Sequence, residues 1–247
     1  MVGLGTIINV VTILVGSSLG VLLGNRLPER TNGVITDALG LVTVVLGGLN
    51  VIAMNDKPLV DEVGAAAPLL IVLGSLLIGG VAGSLLGIER RLEGFGAWLQ
   101  NRFSNDSTDG GKARFIQGFV SSSLVFSIGP LAILGALSDG LGHGINQLAL
   151  KSTLDGFAAL AFAASLGWGV AASALPVAIW QGGFTLAAFF LGSLMPEANV
   201  SAITATGGVL LLGVGIRLLG LKKVPVADLL PALLIAPILT TLVALFI

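Results

Sequence analysis

The stretch Gly24–Thr36, "GNRLPERTNGVIT", occurs a second time in altered form at Gly192–Thr204, "GSLMPEANVSAIT". Both copies hold Gly, three residues, Pro-Glu, five residues and Ile-Thr. They lie 168 residues apart, and at the same offset Leu23 matches Leu191, Gly40 matches Gly208 and Gly47 matches Gly215. In a chain with 36 glycines, matched glycines alone carry little weight, but matched Pro-Glu and Ile-Thr pairs carry more. The stretch reads as part of an internal repeat. Each Pro-Glu reads as a helix start: Pro suits the first helical position, where its missing N–H is no loss, and Glu complements the positive end of the helix dipole.

Composition puts the repeat in a membrane. Of 247 residues 55% are apolar and 10% charged, too few polar side chains to cover a soluble globule of this size. A membrane helix needs roughly 20 apolar residues to cross about 30 Å of hydrocarbon. Eight stretches qualify: 3–24, 33–54, 64–87, 115–137, 151–170, 172–193, 201–219 and 226–246. The first cations, Arg26 and Arg30, follow the first stretch instead of preceding it, so it reads as a membrane helix and not a secretory signal. The expected fold is an all-α polytopic membrane protein of about eight transmembrane helices. A shift of five spans reverses direction through the bilayer, so 1–87 and 171–247 are expected to form an inverted three-helix repeat. Between them lie a linker, 88–114, and a central helix pair, 115–170, with a candidate break.

Cations give the orientation. With the N-terminus outside, inner loops and span ends collect Arg26, Arg30, Arg90, Arg91, Arg102, Lys112, Arg114, Arg217, Lys222 and Lys223, leaving Lys57 and Lys151 outside. This follows the rule that cations stay on the cytoplasmic side, and it predicts a multi-pass inner-membrane protein. It also accounts for the altered second copy, where Leu194 and Ala198 replace Arg26 and Arg30: the loop has changed sides. Within the linker, Leu92, Phe95, Leu99 and Phe103 fall on one helical face, which suits a helix lying in the headgroup region.

Three strings, "GTIINVVTILVGSSLGVLLGNRLPER" (5–30), "GPLAILGALSDGL" (129–141) and "LKSTLDGFAALAFAASLGWGV" (150–170), resemble the bacterial membrane family called domain of unknown function 554, the YqgA/YdfK-like proteins. The resemblance implies a polytopic inner-membrane protein without a settled activity. Function has to be sought in the residues.

Lys151 and Asp155 stand i,i+4 near the expected outer end of the fifth span, and an ionisable residue inside a span is a candidate functional group. In "SSSLVFSIGP", Pro130 cannot donate to the Phe126 carbonyl, so an acceptor is freed beside Ser123 and Ser127 where a small cation could bind. The alternative is a proline kink whose serines bond back to their own helix. Asn9 and Gln181 are polar groups within apolar spans, able to line a solute path or to join packed helices.

No enzyme, metal or cofactor is expected. The chain has no cysteine, and its one histidine, His143, has only Asp139 near it in sequence; no Gly-x-Ser-x-Gly occurs. Nothing suggests nucleic acid. The expected partners are the lipid bilayer and a small ion or solute. Glycines spaced by four, Gly16/Gly20/Gly24 and Gly79/Gly83/Gly87, read as close contacts within the bundle or in a homodimer. The leading reading is a secondary transporter working by alternating access; the alternatives are an ion channel, or a non-transporting scaffold or sensor subunit that docks through 88–103.

Overall fold

The computed structural model describes residues 2–24, 28–91, 94, 98, 109–127, 130–191 and 196–246. The described chain is helical throughout, with α1 (Leu4–Gly24), α2 (Glu29–Val51), α3 (Lys57–Val63), α4 (Ala67–Leu86), α5 (Asp109–Ser127), α6 (Pro130–Gly140), α7 (Asn146–Leu166), α8 (Gly169–Ala172), α9 (Ala174–Leu191), α10 (Glu197–Leu218) and α11 (Ala232–Ala244). Six helical segments among the described residues are long and apolar enough to cross a membrane, against the eight expected. A seventh is the pair 110–127 and 131–140, bent by 80°. Residues 128 and 129 between the two helices lie outside the described residues. Helix α7, at 21 residues, has the length of a span but carries Lys151 and Asp155.

Two boundaries differ from the expectation. The fifth span, expected at 151–170, is a helix from Asn146 to Leu166 that ends at Gly167, where φ is 75°. The short helix α8 leads on into α9, so Gly169–Phe190 forms one span. The Pro-Glu pairs do start helices, one residue later than expected. Pro196 is the extended residue before α10 and Glu197 its first helical residue; Pro28 likewise precedes α2. Leu92, Phe95, Leu99, Phe103 and Arg26, expected on an interfacial helix and in an inner loop, lie outside the described residues.

The chain divides into two compact units, each drawing helices from both ends of the sequence. The first comprises Met1–Leu39, Leu92–Ser127 and Leu131–Leu194. Its spine is the seam between α1 and α7, which run parallel. A Cβ built on Gly16 would collide with the Gly156 carbonyl, one on Gly20 with the Leu160 carbonyl, and one on Gly24 with the Ala164 carbonyl. Backbone therefore touches backbone over three turns, the contact that small residues at four-residue spacing permit. Farther out, α9 runs antiparallel to α1: Thr6 meets Thr185 and Asn9 meets Gln181.

The second unit comprises Gly40–Arg91, Ile128–Pro130 and Met195–Ile247. Its centre is α10, with 78% of its most apolar window buried, against 22–39% in the other five spans. Ala198, Ala202 and Ala205 let Leu59, Val63, Ile71 and Val72 pack close to it. Helices α2 and α10 cross antiparallel at glycines: a Cβ on Gly47 would stand 2.9 Å from the Gly208 carbonyl oxygen, and one on Gly215 would stand 3.0 Å from that of Gly40. Helix α4 runs antiparallel to α11, with Gly79 against Ala232. Gly87, expected to extend that strip, instead ends α4 as its left-handed cap, φ 62°. At that end the Glu89 carboxylate pairs with Arg217 and accepts the Ala227 N–H at 2.8 Å, while the Glu89 N–H donates to Asp228 at 2.8 Å. Outward faces are apolar: Leu69, Leu70, Leu73, Leu77 and Val81 of α4 are all exposed, as lipid contact requires.

If the α1–α7 seam is backbone contact, Gly20→Leu forces the helices apart. It should lower stability by about 2 kcal/mol or more, in the range for overpacking. Gly33→Ala, inside α2 where the added Cβ meets nothing within 4 Å, should raise stability by up to about 1 kcal/mol through helix propensity. Thermal unfolding of both variants in one mild detergent measures the difference.

Candidate functional site

The α1–α7 seam sets the height at which polar side chains meet. Asp155 is the tenth of 21 residues in α7, so the helix start at Asn146 moves it from the expected outer end to the middle of the helix. Lys151 lies one turn earlier and pairs with the Asp155 carboxylate. Across the seam, Asn9 of α1 donates from Nδ2 to Asp155 Oδ2 at 3.0 Å. The same Nδ2 donates to Gln181 Oε1 of α9 at 2.9 Å. Asn9 and Gln181 are wholly buried, and Lys151 and Asp155 are 6% and 8% exposed. Three helices thus bring one cation, one anion and two carboxamides together inside the first unit.

The cluster is closed but incompletely paired. Asn9 Oδ1 and Gln181 Nε2 are shut off from solvent with no hydrogen-bond partner. Orphaned buried polar atoms are uncommon in folded proteins, and here Ser17, Ser122, Trp180, Thr204 and Thr206 each bury one as well. The other acids of this structure contrast with it. Asp139 accepts the N–H groups of Gly3 at 3.1 Å and Gly5 at 3.0 Å, capping α1 with both oxygens. His143 is exposed in the loop after α6, and Asp139 is turned to that cap.

The expected cation site in the fourth span is arranged otherwise. The Ser123 hydroxyl bonds back to the Phe119 carbonyl at 2.6 Å, the local bond of a kinked helix. Phe126 is fully buried, its ring edge-on to Phe162 at 6.2 Å. Ser127 ends α5, half-buried, and Pro130 starts α6. The structure thus joins Asp155, Lys151, Asn9 and Gln181, and records no bond from Ser123, Ser127, Phe126 or Pro130 to them. The sequence reading missed Thr6 and Thr185, whose hydroxyls meet at 3.3 Å one turn from Asn9 and Gln181. Their signal was present: Thr6 is i−3 to Asn9 and Thr185 is i+4 to Gln181, so each shares a face with an amide.

A sequence profile described as "Protein of unknown function (DUF554)" matches residues 4–241. The chain belongs to this family. It is similar to the uncharacterized membrane protein YdfK of Bacillus subtilis (strain 168), 33% identical over 234 residues, 95% of this chain and 94% of the relative. It is also similar to the uncharacterized protein YqgA of Escherichia coli (strain K12), 34% identical over 233 residues and 94% of each chain. No solved structure matches. Family membership and the apolar helices make this DUF554 chain a polytopic all-α membrane protein, and the relatives' names assign no activity.

A buried ion pair broken on one side leaves a bare charge, at a typical loss of about 3–5 kcal/mol. Lys151→Met and Asp155→Leu should each destabilise this chain by that order. The double variant should be closer to wild type than either single one. Unfolding in mild detergent across the four proteins gives the coupling, and additive losses would show that the pair contributes nothing as a pair.

Proposed function

We propose that this DUF554 chain is a secondary transporter of a small ion or solute, working by alternating access in the bacterial inner membrane with its N-terminus outside. The observation that carries the reading is the buried cluster Lys151, Asp155, Asn9 and Gln181. Charges buried within the apolar bundle of a membrane protein are expensive and mark candidate ion or proton paths. A bundle that only had to pack could replace the ion pair by apolar side chains of similar volume at little or no loss of stability. Enclosure of the cluster fits an occluded state of a transporter.

The helix pairs support the mechanism. Helices α1 and α9, α2 and α10, and α4 and α11 are the partners that the sequence repeat would equate, and each pair is in antiparallel contact. The contacts Gly47–Gly208 and Gly40–Gly215 are exchanged by the 168-residue offset, as a two-fold axis in the membrane plane requires. Inverted repeats of this kind let a transporter present one site alternately to each side.

Two measurements test the proposal. Proteoliposomes should carry at least one species from a panel of inorganic ions and small organic acids, and Asp155→Asn should lower that flux at least tenfold. Equal flux by the variant would remove the site assignment. For orientation, the absence of native cysteine allows single replacements at exposed positions: Lys57→Cys should react with an impermeant thiol reagent in intact spheroplasts, and Lys222→Cys only after permeabilisation. The reverse pattern would invert the topology.

A further inference from the structure

The hydrogen-bond polarity of the cluster bears on what it carries, given the transporter reading above. Ionised Asp155 accepts and cannot donate. It therefore holds Asn9 with Nδ2 towards Oδ2, and Nδ2 in turn holds Gln181 with Oε1 towards it. Protonated Asp155 donates an O–H. Turning the Asn9 amide end for end would place Oδ1 where Nδ2 stood, and turning Gln181 would place Nε2 where Oε1 stood. Both hydrogen bonds survive with reversed direction. The atoms facing away from them, Asn9 Oδ1 and Gln181 Nε2, have no partner and so do not hold the amides in place. One proton on Asp155 is read two side chains away.

Charge balance then selects the ligand. With Lys151 and Asp155 both ionised the cluster is neutral. A proton from water on the carboxylate leaves Lys151 as an uncompensated buried cation, which low-dielectric surroundings oppose. Among the described residues no other ionisable side chain is recorded in contact with Asp155; α2 meets α7 at Thr36 and Ser165, ten residues from Asp155, and its Arg30 and Asp37 lie at that end. Helices α1, α8 and α9 contain none. Helix α5 has Asp109, Lys112 and Arg114 in its first two turns, and Arg114 Nε donates to the Ser165 carbonyl at 2.6 Å. Ser165 is ten residues from Asp155, about 15 Å along α7. On α6, Asp139 is engaged by the N–H groups of Gly3 and Gly5.

An anion beside Lys151 restores neutrality. The ammonium has three N–H donors, with Asp155 its one partner here. The reversed Asn9 amide would turn its Nδ2 to the face where Oδ1 now lies unpartnered. A metal cation would need several oxygen ligands. Asn9 Oδ1 and Asp155 Oδ1 are the oxygens left without a bond, and any metal between them would stand beside the Lys151 ammonium on the same carboxylate, cation against cation.

We propose that the transported species is a small anion carried together with a proton, the proton on Asp155 and the anion on Lys151, with the Asn9 and Gln181 amides reversing in the loaded state. The test uses the full chain in lipid nanodiscs. Chloride, nitrate, phosphate, acetate and lactate are titrated by tryptophan emission at pH values one unit apart, with sodium and potassium (as a salt of a bulky anion) as cation probes. One proton bound per anion raises apparent affinity up to tenfold for each unit that pH falls. Asp155→Asn, a stand-in for the protonated carboxyl, should bind the same anion with an affinity that no longer depends on pH. Wild-type data alone decide if that variant does not fold. Anion binding independent of pH, or binding of a cation in place of an anion, overturns this proposal and leaves the transporter reading standing. Neither binding nor flux of any probe overturns both.

Discussion

The rest of the first unit depends on the absence of side chains at Gly16, Gly20 and Gly24. With no Cβ there, α1 lies on the α7 backbone at the carbonyls of Gly156, Leu160 and Ala164. Contact that close fixes sliding as well as separation, because each glycine sits against one particular peptide group. Register carries outward along both helices. Two turns before Gly16, the Asn9 side chain comes close enough to the Asp155 carboxylate to donate at 3.0 Å. A looser seam of leucines would hold the same helices together without holding an amide against a carboxylate.

That register matters because Asp155 is central in its helix. A carboxylate and an ammonium buried among apolar helices have little access to solvent, so their charges must be balanced by one another and their hydrogen bonds met by neighbouring helices. Glu89 and Arg217, at helix ends, show the easier case: the ion pair is completed by backbone N–H groups that helix ends and turns leave free. Asp139 solves its problem likewise, at the free N–H groups of the α1 N-terminus. Mid-helix backbone is already bonded to itself and offers nothing. Asp155 has to draw on a side chain from another helix, and that side chain, Asn9, has to draw on a third.

How much of this was legible follows from the range of each interaction. Apolar runs and cation placement are properties of the chain itself, so all-α membrane architecture could be read directly. Lys151 and Asp155 could be paired on paper because i,i+4 is local geometry. Their depth could not, because the expected span began at Lys151, five residues after the helix starts at Asn146, and the polar Asn146 and Gln147 gave no apolar signal for that first turn. Ser123 and Phe126 were drawn towards a binding role by Pro130, but a hydroxyl one turn from a carbonyl, Phe119, has a partner within its own helix. Asn9 and Gln181 were visible as isolated amides; that they meet is a fact of packing between residues 172 positions apart.

Where the charges fall along the chain bears on how two equated halves could share one site. Lys151 and Asp155 lie on α7, outside both copies of the proposed repeat, so the ionisable pair occurs once. The two amides do not: Asn9 belongs to α1 and Gln181 to α9, the helices that the repeat would equate, and they reach the cluster from opposite directions. Each half therefore contributes one carboxamide to a hydrogen-bonded chain that ends on a single carboxylate. A carboxamide is a donor at one end and an acceptor at the other, so the chain can run in either of two directions, and the charge state of Asp155 selects between them. Near-equivalent helices holding the two amides would keep the directions close in energy. A single proton could then tip the balance, which a more lopsided pair of partners would resist.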